Sequence, residues 1–146
     1  KESMKKIIYF LIFVFIIVIV MTSIYINYNV TLKKIKEDNL QFEYYNQKEI
    51  TGTDIATLIN KAVDSNIKFN VGKDSKGKYI ENNENSINIE IYIADNNKTY
   101  DMEILYNGGI DKFVKNYGNI KFKCTQIDYH EITKRVKKVY FRQIVE

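Results

Sequence analysis

The stretch from Ile7 to Ile26 reads IIYFLIFVFIIVIVMTSIYI and contains twenty consecutive residues without a charge. An α-helix rises about 1.5 Å per residue, so a helix of this length crosses a hydrocarbon core of about 30 Å. Its many β-branched residues form helices poorly in water, but a backbone surrounded by lipid must hydrogen-bond to itself. The stretch therefore predicts a transmembrane helix.

Two other interpretations of this stretch stay open. A cleaved signal peptide has a shorter apolar region, of about 7 to 15 residues, followed by a cleavage site of small residues. Met21-Thr22-Ser23 matches such a site only weakly. A buried core helix of a soluble protein is also shorter as a rule. We therefore favour an uncleaved membrane anchor.

The orientation of the predicted anchor depends on the lysines that flank it. Lys5 and Lys6 precede the span, and three lysines follow it within the distance that counts for the positive-inside rule: Lys33, Lys34 and Lys36. The two groups nearly cancel. A basic segment directly before the first apolar stretch is typical of a signal-anchor, which leaves the N-terminus in the cytoplasm. We expect a single-pass protein of the cell membrane whose soluble domain is extracytoplasmic.

The chain has 146 residues, which suffices for one compact soluble domain beyond the anchor. We expect a cytoplasmic N-terminus and transmembrane anchor over residues 1–26. An amphipathic stalk helix with a connector follows over 27–50, where Leu32 and Ile35 begin a run of apolar residues at helical spacing. Residues 51–146 form the predicted soluble α+β domain.

Within the soluble domain, the hydrophobic pattern alternates between the helical and the strand period. The segment Thr51-Gly52-Thr53-Asp54 offers a capping residue, and the apolar residues after it share one face of a helix that ends near Asn66. Apolar residues alternate with polar ones over 67–71. Because a glycine-bounded turn at 72–77 separates this run from 78–80, the pattern predicts a hairpin.

The strongest strand pattern runs from Ser86 to Ile93, where isoleucines occupy every second position. Gly108-Gly109 introduces a short helix that ends before Gly118. The segments 119–129 and 134–144 then read as two long strands. This order predicts an α+β fold with an antiparallel sheet and helices on one face.

Few residues in the chain are suited to catalysis or to metal binding. It contains one His, His130, and one Cys, Cys124, so there is no disulfide framework. On one strand these two side chains lie about 20 Å apart, which prevents them from sharing a proton. The acidic loops lack the spacing of a calcium site, and Gly108-Gly109 lacks the lysine of a nucleotide-binding loop. We predict no cofactor, no metal site and no enzymatic activity.

One segment near the C-terminus is rich in basic residues and contains no acid. Its basic residues are Lys134, Arg135, Lys137, Lys138 and Arg142. Such a stripe is suited to an anionic ligand or polymer, which binds with release of counterions. A strand with a solvated basic face accounts for the same residues. The net charge of +4 for the whole chain is too small to indicate a nucleic-acid partner.

The chain resembles small single-pass membrane-anchored proteins of low-GC Gram-positive bacteria in two stretches, FEYYNQKEITGTDIATLINKAVDSN at 42–66 and YGNIKFKCTQIDYHEITKRV at 117–136. Its layout is similar to that of type IV pilins and pseudopilins, in which an apolar N-terminal helix leads into an amphipathic helix and a helix-covered antiparallel sheet. The chain departs from them at Lys5, where a pilin keeps a Glu, and after Glu2, where the apolar start of a pilin is missing. The similarity of layout implies assembly through the N-terminal helix.

Two functional hypotheses follow. In the first, the chain is a non-enzymatic, membrane-anchored extracytoplasmic protein, a pilin-like subunit of a surface or secretion assembly. Its partners would be membrane lipid and other copies or membrane-protein subunits that contact its N-terminal helix. In the second, it is a monomeric anchored module that binds an anionic ligand or polymer through its basic C-terminal strand.

Overall fold

The computed structural model describes all residues from Lys1 to Glu146. They divide into two compact units, Lys1–Lys36 and Glu37–Glu146. The first unit is helical from Glu2 onward, whereas the second contains a β-sheet and several helices.

The first helix, α1, begins at Glu2 and ends at Glu43, so the predicted apolar helix is confirmed. It is the one helix in the structure that is long and apolar enough to cross a membrane, and none of its most apolar window is buried. A core helix of a soluble protein would be mostly buried, whereas a signal sequence would meet the same criteria of length and composition. Within the apolar stretch, the Ser23 hydroxyl donates a hydrogen bond to the carbonyl of Ile19 (2.9 Å), which satisfies it inside the helix.

The second unit combines helices with a five-stranded sheet. Its elements after α1 are β1 (Glu49–Thr51), α2 (Gly52–Lys68), β2 (Asn88–Ile93), β3 (Lys98–Asp101), α3 (Met102–Asn107), α4 (Ile110–Tyr117), β4 (Lys121–Tyr129) and β5 (Val136–Gln143). A single 3₁₀ turn, Ala94–Asn96, separates β2 from β3. The strand order in the sheet is β1-β4-β5-β2-β3. The predicted α+β class is confirmed.

The sheet is mixed, so the prediction of a purely antiparallel sheet is wrong. β2 and β5 are parallel, with Ile89 opposite Val139, whereas the other three neighbouring pairs are antiparallel. The cause is the route of the chain. Because α3 and α4 carry it back between β3 and β4, these two strands run in the same direction, as helical connections allow. The turn after β4 then reverses the chain, and β5 enters the sheet between β4 and β2 parallel to β2.

Helix α2 begins where the sequence predicts it, because Thr51 caps its first turn. The Thr51 Oγ1 atom accepts a hydrogen bond from the backbone N–H of Asp54 at 3.3 Å. Gly52 is required next to it, since a Cβ atom there would lie 1.9 Å from the carbonyl oxygen of Tyr117. The buried apolar residues of α2 are Ile55, Ala56, Leu58, Ile59, Ala62 and Val63.

The predicted hairpin after α2 is wrong in its first strand, because α2 covers the first residues of that segment. Two residues after the end of α2, Asn70 adopts the left-handed conformation, at φ 55°. The N–H of Val71 then donates to the carbonyl of Asn66 at 2.9 Å, as in a Schellman motif. What remains of the hairpin is one isolated antiparallel bridge between Lys73 and Tyr79.

The predicted strands in the rest of the unit are confirmed. Ile89, Ile91 and Ile93 of β2 are buried on one face, and Phe122 and Cys124 of β4 are fully buried as well. All five belong to the same hydrophobic cluster as the buried face of α2. The period-two pattern of the sequence therefore identifies the core face of the sheet.

Two buried asparagines form hydrogen bonds with the backbone just before or at the start of β2 and β5. Asn66 donates to the carbonyl of Ile87 (2.8 Å) and accepts from its N–H (2.9 Å). Asn39 donates to the carbonyl of Lys134 (2.8 Å) and accepts from the N–H of Val136 (2.9 Å). Each side-chain amide thus satisfies both a backbone donor and a backbone acceptor that would otherwise be buried without partners.

Candidate functional site

Two of the five basic residues predicted to bind anions are engaged by other side chains. Arg135 is paired with the carboxylate of Asp38, with 2.9 Å between Nη1 and Oδ2. The guanidinium of Arg142 lies over the ring of Tyr92, 4.2 Å from its centroid. Lys134 is exposed and lies in the turn before β5, with a left-handed φ of 63°.

A β-bulge brings the other two basic residues, Lys137 and Lys138, to one place. The register of β4 and β5 passes from Asp128 opposite Lys138 to Tyr129 opposite Val136, so Lys137 is the extra residue. Consecutive strand residues ordinarily point to opposite faces of a sheet. Here both lysines line the same cavity, whose volume is about 430 Å³.

The cavity contains a third lysine, Lys78, which sequence reasoning missed. We call it the lysine cavity and define it by Lys78, Lys137 and Lys138. Its other lining residues are Asp74, Tyr79, Ile80, Glu81, Ser86, Ile87 and Asn88. Lys78 belongs to the loop between α2 and β2, and no local sequence signal indicates that this loop lies beside β5.

Polar contacts hold this loop in place. Asp74 Oδ1 accepts hydrogen bonds from the N–H groups of Lys76 (2.9 Å) and Lys78 (3.0 Å). The bond from Lys78 contributes most to holding the pKa of Asp74 below its ordinary value. At the end of the loop, the buried His130 donates through Nε2 to the carbonyl of Ser86 at 2.6 Å. The single histidine of the chain is thus engaged in positioning the loop.

Each lysine of the cavity faces a carboxylate, but the contacts differ in length. A charge-assisted hydrogen bond between an ammonium and a carboxylate spans about 2.7–2.9 Å. The pairs are Lys78–Asp101 at 3.0 Å, Lys138–Glu90 at 3.4 Å and Lys137–Glu81 at 3.8 Å. The hydrogen bond that the Lys78 ammonium donates to Asp101 raises the pKa of Lys78 above its ordinary value. Only this first pair approaches the ideal length, so the other two ammonium groups are held weakly.

Three side chains in or beside the lysine cavity carry buried polar atoms without a hydrogen-bond partner. They are the hydroxyl of Tyr79, the side-chain carbonyl of Asn88 and both carboxyl oxygens of Glu103. Glu103 is only 5% exposed. Burial raises the pKa of its carboxyl group, and the neighbouring charge of Asp101 raises it further. Unsatisfied buried polar groups destabilise a fold, so these atoms lower the free energy of unfolding of the second unit.

The side chains of Cys124 and Tyr140 are not activated as nucleophiles. Cys124 is fully buried, and burial raises the pKa of its thiol, which disfavours the reactive thiolate. The hydroxyl of Tyr140 donates to Asp128 at 2.8 Å. Burial, together with this bond, raises the pKa of Tyr140 to about 12. The structure contains no group of three or more His, Cys, Asp or Glu side chains that could hold a metal ion.

Neither a protein-family model, nor a curated protein sequence, nor a solved structure matches this chain. No family is therefore assigned to it. Its function has to be inferred from its own residues.

The substitution Glu103→Gln is expected to change the pH dependence of stability. The folded-state pKa of Glu103 lies above its ordinary value of 4.5. The protonated carboxyl group therefore contributes to the free energy of unfolding in full below that pH. This contribution is lost as the pH rises through the raised folded-state pKa, because the buried carboxyl group then ionises. Glutamine cannot ionise, so the variant should exceed the unsubstituted chain by about 1 kcal/mol in free energy of unfolding at pH 8.

Urea denaturation of the full chain in neutral detergent, followed by circular dichroism from pH 4 to pH 8, measures this difference. Glu131→Gln is the matched control, because Glu131 is exposed, and we expect it to leave the pH profile unchanged. Parallel profiles for the unsubstituted chain and the Glu103→Gln variant would show that the buried carboxyl group does not titrate as described.

Proposed function

We propose that this chain is a non-enzymatic, single-pass membrane protein whose folded unit lies outside the cytoplasm. The observation that carries the proposal is the apolar stretch of α1, which is fully exposed. Transfer of one Val, Leu, Ile or Phe side chain out of water is worth about 1.5–3 kcal/mol. Over the whole stretch the free energy favouring lipid is on the order of tens of kcal/mol. The buried thiol of Cys124 and the engaged imidazole of His130 support the non-enzymatic role.

The residues at the two ends of the apolar stretch support a membrane-spanning position. Tyr9 lies near one end, and Tyr25 and Tyr28 lie near the other. Tyr side chains favour the interface between lipid headgroups and water. At 1.5 Å per residue, the helix places Tyr9 about 24 Å from Tyr25 and about 28 Å from Tyr28, close to the thickness of a hydrocarbon core. Lysines follow outside both ends, where ammonium groups reach water.

The proposed orientation places Lys5 and Lys6 in the cytoplasm. The lysines on the other side, at 33–36, are followed by the folded unit of residues 37–146. Long segments and domains cross the membrane largely regardless of their charge. The lysines before the span therefore have the greater weight in setting the orientation. Because positive charge is retained in the cytoplasm, Lys5 and Lys6 favour a cytoplasmic position for the segment before the span.

Labelling of two variants, each with one introduced cysteine, tests this orientation. Ser75→Cys places a thiol on an exposed residue of the folded unit, and Ser3→Cys places one on an exposed residue before the span. With a membrane-impermeant maleimide, we expect Ser75→Cys to react in intact cells and Ser3→Cys to react only after permeabilisation. The unsubstituted chain is the control, because Cys124 is fully buried. The reverse labelling pattern would place the folded unit in the cytoplasm.

The same helix is the proposed element of assembly into a surface or secretion structure. The similarity of layout to type IV pilins, with an apolar N-terminal helix followed by an α+β unit, supports this role. An exposed apolar helix can pack against other helices in the bilayer as well as against lipid. In this proposal the copies contact one another, or other membrane-protein subunits, along one face of the apolar stretch.

Disulfide cross-linking tests assembly between copies. Cysteines introduced one at a time at residues 16–21 sample every face of the helix, because they cover more than one turn. We expect disulfide-linked dimers in membranes at positions three or four apart, with little product at the positions between them. Monomer at all six positions would contradict self-assembly and favour a solitary anchored module.

A further inference from the structure

We infer that the lysine cavity binds a small ligand that carries a phosphoryl group. This inference goes beyond the proposed membrane role and does not depend on it, because every residue of the cavity lies in the second unit. The cavity also replaces the basic stripe that the sequence suggested. Only Lys137 and Lys138 of that stripe line it, and Lys78 joins them from another part of the chain.

The bulge in β5 is the structural feature that makes this cavity basic. Without the extra residue, Lys137 and Lys138 would point to opposite faces of the sheet. With it, two ammonium groups from β5 and one from the loop before β2 line a single cavity. Each ammonium group faces its own carboxylate, but the contacts of Lys137 and Lys138 are longer than an ideal charged pair, so a phosphoryl group, with three strong acceptor oxygens, can compete for their donors.

Two of the three lysines are available to such an anion. The contact between Lys137 and Glu81 spans 3.8 Å, and the Glu81 side chain is 63% exposed. Solvent-exposed ion pairs contribute little to stability. The contact between Lys138 and Glu90 is also longer than an ideal pair, at 3.4 Å. A phosphoryl group can therefore exchange for these carboxylates at small cost, while Lys78 stays anchored by Asp101.

The size of the cavity limits the ligand. Its volume is about 430 Å³, which lies in the range of small-molecule sites. Tyr79 and Asn88 line it, but their unpartnered side-chain oxygens are shielded from solvent. The lysines therefore supply the contacts, and a small phosphate monoester matches both their charge and the volume.

Binding is tested with the full chain in neutral detergent, titrated with inorganic phosphate and with glycerol 1-phosphate. The readout is the amide chemical shifts of Tyr79 and Asn88. We expect saturable shifts, and a dissociation constant raised about tenfold or more in the double variant Lys137→Gln/Lys138→Gln, since the anion loses two charged donors. Lys137→Gln alone is a second variant, with a smaller loss.

The matched control is the double variant Lys121→Gln/Lys123→Gln, which removes the same charge from exposed lysines of β4 outside the cavity. It should bind like the unsubstituted chain. A second arm places the chain in nanodiscs of phosphatidylglycerol or of phosphatidylcholine. Shifts caused only by phosphatidylglycerol, and lost in the cavity variant, would identify a lipid headgroup as the source of the same chemistry.

Absence of saturable shifts in both arms would overturn the inference. Equal binding to the cavity variant and to the control variant would overturn it as well, because the phosphate would then be attracted by net charge alone. Neither result would affect the membrane proposal, since the first arm is carried out in detergent.

Discussion

The structure depends on one constraint, the cost of exposing the apolar stretch of α1 to water. The uncharged run beginning at Ile7 has no covering surface in its own unit. Its backbone is satisfied by the helix itself, and the Ser23 hydroxyl is satisfied by the carbonyl of Ile19. A segment that satisfies its own backbone and exposes mainly apolar side chains is suited to lipid. The proposed membrane position, orientation and assembly all depend on this property.

A hydrophobic core and a few buried hydrogen bonds stabilise the second unit. The alternate isoleucines of β2 and the buried face of α2 form one hydrophobic cluster. Asn66 joins the end of α2 to the entry of β2, and His130 joins the same entry to the turn before β5. Because these bonds hold the loop before β2 next to β5, they also place Lys78 beside Lys137. The lysine cavity is thus a consequence of how the sheet is assembled.

Much of this fold could be predicted from the sequence, because hydrophobic period is a local signal. The alternation in 86–93, the capping segment at 51–54 and the glycines around α4 each predict an element that the structure contains. The sequence predicts the end of α2 near Asn66, whereas the helix ends at Lys68. The sequence contains no clear stop signal there, because Asn70 takes the left-handed position that glycine more often occupies. Helix α3 is too short, at six residues, to show a periodic pattern. The placement of helices on one face of the sheet stays a prediction.

The features that the sequence does not reveal are those set by distant parts of the chain. The parallel pairing of β2 with β5 follows from the route of the chain through α3 and α4, which no local pattern specifies. The bulge at Lys137 is a matter of register between β4 and β5. For the same reason, only two of the five basic residues in the C-terminal stripe meet at the cavity, and their third neighbour, Lys78, was not foreseen.

The most direct test of the account is whether the full, unprocessed chain behaves as an integral membrane protein. Membranes from cells that produce it are washed with alkaline carbonate, and the mass of the retained chain is determined. The account predicts that the chain with its apolar stretch intact stays in the pellet and is released only by detergent. A chain of full mass that is recovered as a freely soluble monomer without detergent would contradict it.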